Sequence, residues 1–421
     1  MRILKKSSVL AATVALAMSA AACSDSFFDV DRPNVVDAET IDPLVAAEEF
    51  ANSAYQNFLV AYGGIIVYGG WFTNEGQVGD TFPTRNEFGR RSISARNSTL
   101  ENEVWWPIAR AMATTQEALE IMEDLPDKDS NPLVARAALA AGYTIQLMAE
   151  SFCEGVIEPA GPAASTSEML AKAVEFFQRA EAVAVAGNDT TMANAARVGL
   201  GRAYLQAGQK SEAAAAVADV DDDFVYNAVY FDDPANRGRL ANNVYAFNTS
   251  RVSFVVGPEW RAMADEGDTR IGYYPLLDAS GAHLEAQDGT LLMWVQTKYP
   301  SWGSPIRLAS GLEARYIEVE ASEDLDKIVD FVNARRAASG QPGTFTASDL
   351  DEAMMELMEQ RGRDFWLEGK RLGDWRRHGA EDTFPYIIPS DGEYYKPEVG
   401  PMGNATCIPL TEFEKDANPS F

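Results

Sequence analysis

Residues 349–378 read DLDEAMMELMEQRGRDFWLEGKRLGDWRRH, and the segment 360–377 within them, QRGRDFWLEGKRLGDWRR, decides how the rest of the chain is read. Leu350, Met354, Leu357, Arg361, Phe365, Glu368 and Leu372 follow at steps of three and four, which is helical spacing. Thr346 and Ser348 offer N-caps. Asp349, Asp351 and Glu352 sit where the positive end of a helix dipole favours acids, and Gly379 closes the run. One face therefore carries apolar groups together with two charges. Burying Arg361 and Glu368 beside Phe365 is costly unless they pair with each other or with Asp364, Arg371 and Asp374. The expectation is a helix that breaks and restarts at Glu368-Gly369, locked by buried ion pairs, rather than an active site.

Further motifs lie in a fixed order along the chain. GLEARYIEVEA at 311–321 precedes VNARR at 332–336, and Ile408-Pro409, Glu412 and Asn418-Pro419 stand near the end. Together with Arg361, Arg363, Phe365, Glu368, Gly369, Arg371, Asp374 and Arg377, they resemble the SusD/RagB-type outer-membrane lipoproteins. The signature of that family runs roughly E-R-x-R-E-F-x-x-E-G-x-R-x-x-D-L-x-R. Gln360, Asp364 and Trp375 depart from it. The resemblance implies a mainly α fold: a tetratricopeptide-like helical repeat scaffold, SusD-like, with a loop-rich segment containing short β-strands. It implies an architectural signature, no cofactor, and a binding protein that delivers an oligosaccharide or other nutrient to a SusC-like TonB-dependent transporter.

With 63 acids against 35 basic residues the net charge is -28, so nucleic acid and anionic lipid headgroups are poor partners. Arg2, Lys5 and Lys6 followed by the apolar run Val9 to Met18 form a targeting segment, too short for a bilayer that needs about 20 residues. Ser19-Ala20-Ala21-Ala22-Cys23 reads as a lipobox, making Cys23 the lipidation site. The expected organisation is a signal peptide at 1–22, a polar tether at 23–41 and a single domain at 42–421. In that domain the helical scaffold covers about 42–220 and 312–421, and the ligand-facing loops about 63–97 and 221–311. Cys153 and Cys407 remain. An exported compartment permits a disulfide between them, and two separately buried thiols are the alternative.

Helices are expected at Leu44–Tyr62, stopped by Gly63-Gly64, and at Leu100–Leu125, Val134–Phe152, Ser167–Ala186, Met192–Gln206 and Ser211–Asp219. Ala135-Arg136 with Tyr143, and Ala196-Arg197 with Tyr204, repeat one spacing suited to stacked helix pairs. Brief strands are expected at Val244–Phe247, Val252–Val256 and Leu291–Gln296. There is no phosphate loop, nucleophile elbow or His/Cys metal spacing, and the only histidines are His283 and His378.

Sugar rings stack their C-H faces on Trp or Tyr and offer hydroxyls to Asn, Asp, Glu and Arg. Two clusters have that composition: Trp71 with Asn74, Glu75, Asp80 and Arg85, and Tyr273 with Trp294 and Trp302. Core anchoring is the competing reading for each aromatic. A secreted helical glycosidase using paired carboxylates and a tetratricopeptide outer-membrane assembly factor are the alternatives to a nutrient-binding protein.

Overall fold

The computed structural model describes residues 43 to 421, and Ala47–Phe421 form one compact unit. The leader, Cys23 and the tether lie outside the described residues. The first described helix, α1 (Pro43–Phe72), runs ten residues beyond the expected stop at Gly63-Gly64. Those glycines serve close approach instead. A Cβ on Gly63 would lie 3.0 Å from the side chain of Asn243, and one on Gly64 would lie 2.9 Å from the Glu103 carbonyl. After β1 (Gln77–Val78) come α2 (Pro83–Gly89), a π-helical turn (Leu100–Trp105) and α3 (Trp106–Ile121). The stretch 63–97, expected as open loop, is thus helical at 63–72 and 83–89 and largely buried.

The next four helices stack in succession: α4 (Pro132–Ser151), α5 (Thr166–Ala186), α6 (Thr190–Gln206) and α7 (Lys210–Val217). Their starts follow from local chemistry. Asn131 caps α4 ahead of Pro132, Ser165 and Glu168 form a reciprocal capping box on α5, and the Asp189 carboxylate accepts the Met192 N–H at 2.9 Å on α6. Small residues set how closely they pack. The Phe177 ring of α5 lies against both Gly142 of α4 and Gly199 of α6, where any Cβ would collide with it. Tyr143, from the repeated Ala-Arg-Tyr spacing, meets Phe177 edge-on with centroids 4.8 Å apart and donates its hydroxyl to the Ala195 carbonyl at 2.9 Å.

Between β2 (Gly155–Val156) and β3 (Ala163–Ala164), which pair with each other, the chain makes a short excursion within this stack. Beyond α7 the texture changes to β4 (Val225–Ala228), α8 (Arg237–Leu240), α9 (Asn243–Tyr245) continuing as a π-helical turn (Ala246–Ser250), β5 (Phe254–Val255), α10 (Pro258–Asp265), β6 (Tyr273–Pro275), β7 (Trp294–Gln296) and β8 (Ile306–Ser310). The pairs β1-β5, β4-β8 and β6-β7 are antiparallel and two-stranded. The strand expected at Val244–Phe247 is helical. Asn242 accepts the Tyr245 N–H at 3.1 Å as an N-cap while its own amide donates to the Ser304 carbonyl at 2.8 Å, and this overrides the β-preference of Val, Tyr and Phe.

Helices then return as α11 (Gly311–Ser322), α12 (Leu325–Ala338), α13 (Leu350–Asp364) and α14 (Arg371–Arg377), with α15 (Glu412–Ala417) near the end. Asp349, rather than Thr346 or Ser348, caps α13 by accepting the Glu352 N–H at 2.9 Å. Cys153 and Cys407 are joined in a disulfide with Cα atoms 5.1 Å apart. Backbone bonds flank it: Cys153 N–H to the Ile408 carbonyl at 2.9 Å and Ile408 N–H to that of Ser151 at 2.8 Å. One large hydrophobic core runs through the helices and most strands, with a small satellite of Val255, Ala286, Met293 and Val295. No helix among the described residues is long and apolar enough to cross a membrane. The molecule is mainly α, with few and short strands.

Candidate functional site

The break between α13 and α14 covers Phe365 to Lys370, opening earlier than Glu368-Gly369. Leu367 and Gly369 both have positive φ, 60° and 68°. Gly369 is required twice over, since a Cβ there would also lie 2.9 Å from Ile66 of α1. The turn drops Glu368 into the interior at 1% exposure, where its carboxylate meets Lys298 at 2.8 Å, Arg307 at 2.9 Å and Lys370 at 3.7 Å. Burial alone would raise this carboxyl, but the three cations outweigh it and hold it down at about 2.

Arg361 and Glu368 do not pair with each other. Arg361 donates to Asp374 at 2.8 Å, lies 3.5 Å from Glu313, and stacks its guanidinium on Phe365 at 5.0 Å. Arg307 and Lys370 approach the same ring at 4.9 and 5.1 Å. Asp374 also takes Arg377 at 2.9 Å, and Asp364 takes Arg335 at 2.7 Å and the Tyr316 hydroxyl at 2.6 Å. Arg363 reaches Asp268 at 3.0 Å. Arg371 is enclosed by Trp260, Phe384 and Tyr386 and donates to the Thr73 carbonyl at 3.3 Å. Asp364 and Glu368 border a surface cleft, and there they face Arg270, Lys298, Arg307 and Arg335.

The first proposed sugar cluster is interior, and the expectation of a ligand face there is corrected. Trp71 is 1% exposed, stacked on Phe254 with centroids 5.9 Å apart and edge-on to Tyr68 and Phe247. Asp80 and Arg85 form a buried ion pair at 2.7 Å, with Arg85 extended to Glu103 at 2.9 Å. Asn74 accepts the Trp260 indole N–H through its carbonyl, and its side-chain amide donates to Tyr386, though its edge also borders a shallow cleft. Glu75 accepts the Leu367 N–H at 2.8 Å, so it clamps the signature turn instead of facing solvent. Burial pushes its carboxyl up to about 7 despite the Arg371 guanidinium nearby. The cause of the misreading is α1, whose extra turns carry Trp71 into the core.

The second cluster is half-buried and divides in two. Tyr273 and Trp294 meet edge-on with centroids 5.3 Å apart, with His283 against the indole at 4.5 Å and the Arg261 guanidinium over it at 4.3 Å. Trp302 lies elsewhere, edge-on to Tyr245 at 5.1 Å, on the wall of a cleft of about 590 Å³. Arg237, Arg239, Asn243, Phe247 and Arg251 complete that wall. The Arg237 guanidinium stands 5.7 Å from the Trp302 ring, and that of Arg251 4.7 Å from Phe247. This is an indole partly open to solvent among polar groups able to bind hydroxyls. The arginines and Tyr245 were missed in the sequence. The one signal was Arg237-Gly238-Arg239, two arginines set close together in an acidic chain.

No protein-family model matches the sequence, and no curated protein does. Solved structures do match. A surface glycan-binding protein A from Bacteroides thetaiotaomicron superposes with a TM-score of 0.67 at 12% identity, covering 89% of this chain and 97% of its own. A SusD-like carbohydrate binding protein from Bacteroides vulgatus gives 0.66 at 16% identity, covering 90% and 97%. A SusD/RagB family protein from Bacteroides thetaiotaomicron gives 0.62 at 15%, covering 89% and 94%. The similarity spans the helical stack, the strand-bearing middle and the C-terminal helices together, and so the chain has the SusD-like fold.

Proposed function

We propose that this protein is a surface-exposed, lipid-anchored binding protein of the SusD/RagB type that captures an oligosaccharide and passes it to a SusC-like TonB-dependent transporter. The observation that carries this reading is the Trp302 cleft: a half-buried indole beside Tyr245 on a fold shared over about nine-tenths of the chain with proteins named for glycan binding. Anchoring through Cys23 and a tether ending near residue 41 belong to the same proposal, as does one continuous SusD-like domain from residue 42. The signature from Arg361 to Asp374 serves architecture in this reading. Its carboxylates are bound by arginines, lysines and a tyrosine, which leaves little capacity for proton transfer.

Retardation of the purified protein in gels containing polysaccharides is the direct test. Trp302→Ala is expected to abolish retardation by the retained glycan, while Trp71→Phe, deep in the core, leaves it intact. Retention that is indifferent to Trp302 and to Trp294 would defeat the assignment of the site. Extraction in mild detergent is expected to bring a large barrel protein along with the chain. Release of reducing sugar from any retained polysaccharide, abolished by one Asp or Glu substitution, would instead favour a glycosidase.

A further inference from the structure

We infer that the Trp302 cleft selects an acidic oligosaccharide, one whose sugar carries a carboxylate or sulfate. This rests on the glycan-binding reading and names the substrate class of the same cleft. With 63 acids to 35 basic residues, most of the described arginines are in ion pairs. At this cleft, Arg237, Arg239 and Arg251 converge and none forms an ion pair with a described carboxylate. The carboxylate of the nearby Asp233 is turned to the N–H groups of Ala235 and Asn236 and to the Asn236 side chain, not to these guanidiniums. Arg239 is held in place by the side-chain oxygens of Asn57 and Gln56, neutral acceptors that orient the guanidinium without cancelling its charge.

The consequence is a local positive field beside an aromatic face. The whole molecule repels anions at long range, but at physiological salt that field is screened beyond about 8 Å, whereas a guanidinium in contact with a carboxylate or sulfate acts inside that distance. The cleft therefore suits a ligand with one or a few charges spaced along a sugar chain that stacks on Trp302, and not a dense polyanion. Guanidinium groups bind carboxylate and sulfate oxygens through paired N–H donors, which supplies orientation as well as attraction.

The test is calorimetric titration of the full chain in detergent with trigalacturonic acid, its neutral counterpart galactotriose, and a sulfated galactose trisaccharide. The acidic or sulfated sugar is expected to bind about tenfold or more tightly than the neutral one at low salt, about the effect of one charge-assisted contact. The ratio is expected to collapse in the exposed double variant Arg237→Ala/Arg251→Ala, and also on raising salt. Preference for the uronate over the sulfate, or the reverse, identifies which anion is read. Equal affinity for charged and neutral sugars, or a ratio that survives loss of both arginines, overturns the inference. If Trp302→Ala removes all binding while the double variant changes nothing, only the charge preference fails. If binding ignores Trp302 altogether, the glycan site fails and this inference with it.

Discussion

Glu368 is held by three cations at 1% exposure, so removing its carboxylate strands Lys298, Arg307 and Lys370 in the interior. Breaking such a cluster costs about 3–5 kcal/mol, and Glu368→Ala is expected to lower the denaturant midpoint accordingly. A change within measurement error would mean the network contributes little. Because its folded pKa is depressed to about 2, the stability that Glu368 contributes is present above its ordinary 4.5 and disappears as pH falls through the interval between them. Glu75 has the opposite sign. Its folded carboxyl is raised from 4.5 to about 7, so the folded state holds a proton that the unfolded state releases between those values. Stability from this group is therefore greatest below pH 4.5 and is lost as pH rises to about 7, by on the order of 3 kcal/mol. Glu75→Gln is expected to flatten that slope in denaturation curves taken from pH 4.5 to 7. An unchanged slope would show that Glu75 titrates normally.

At the level of elements, the helical stack depends on a few interlocking contacts between small and large residues. Phe177 fills the space left by Gly142 and Gly199 on the helices either side of it and is fully buried. Phe177→Ala is expected to destabilise by about 3–5 kcal/mol, the usual cost of an aromatic cavity, measured by chemical denaturation. A loss under about 1 kcal/mol would show that α4 and α6 collapse onto the vacancy. The same principle accounts for α1. Glycine signals a helix end on intrinsic propensity, yet Gly63-Gly64 sit mid-helix because the Glu103 carbonyl and Asn243 come too near for any side chain. Those contacts involve residues 39 and 180 positions away, so local reading misplaced the helix end and turned a core segment into a supposed binding loop.

Across the whole molecule, the disulfide between Cys153 and Cys407 spans 254 positions and ties α4 to the C-terminal strap that carries Ile408. Cys407→Ser is expected to cost about 2–5 kcal/mol, read as a lower melting temperature in non-reducing buffer. An identical melting curve would show that the bridge is unformed or energetically silent. What the sequence determined by itself was the helix content, most helix starts, and the pattern from Arg361 to Arg377, because caps, three-and-four spacing and motif order are local properties. The choice of partners within that pattern was only partly local: Asp374 was among the acids expected to pair with Arg361 and Lys370 stands two positions from Glu368, but Glu313, Lys298 and Arg307 come from segments that no spacing rule reaches. Likewise, Trp71 and Trp302 are equivalent as residues, one buried by an extended α1 and the other left half-open beside three arginines. Only tertiary packing separates them, because exposure is a property of what the rest of the chain covers.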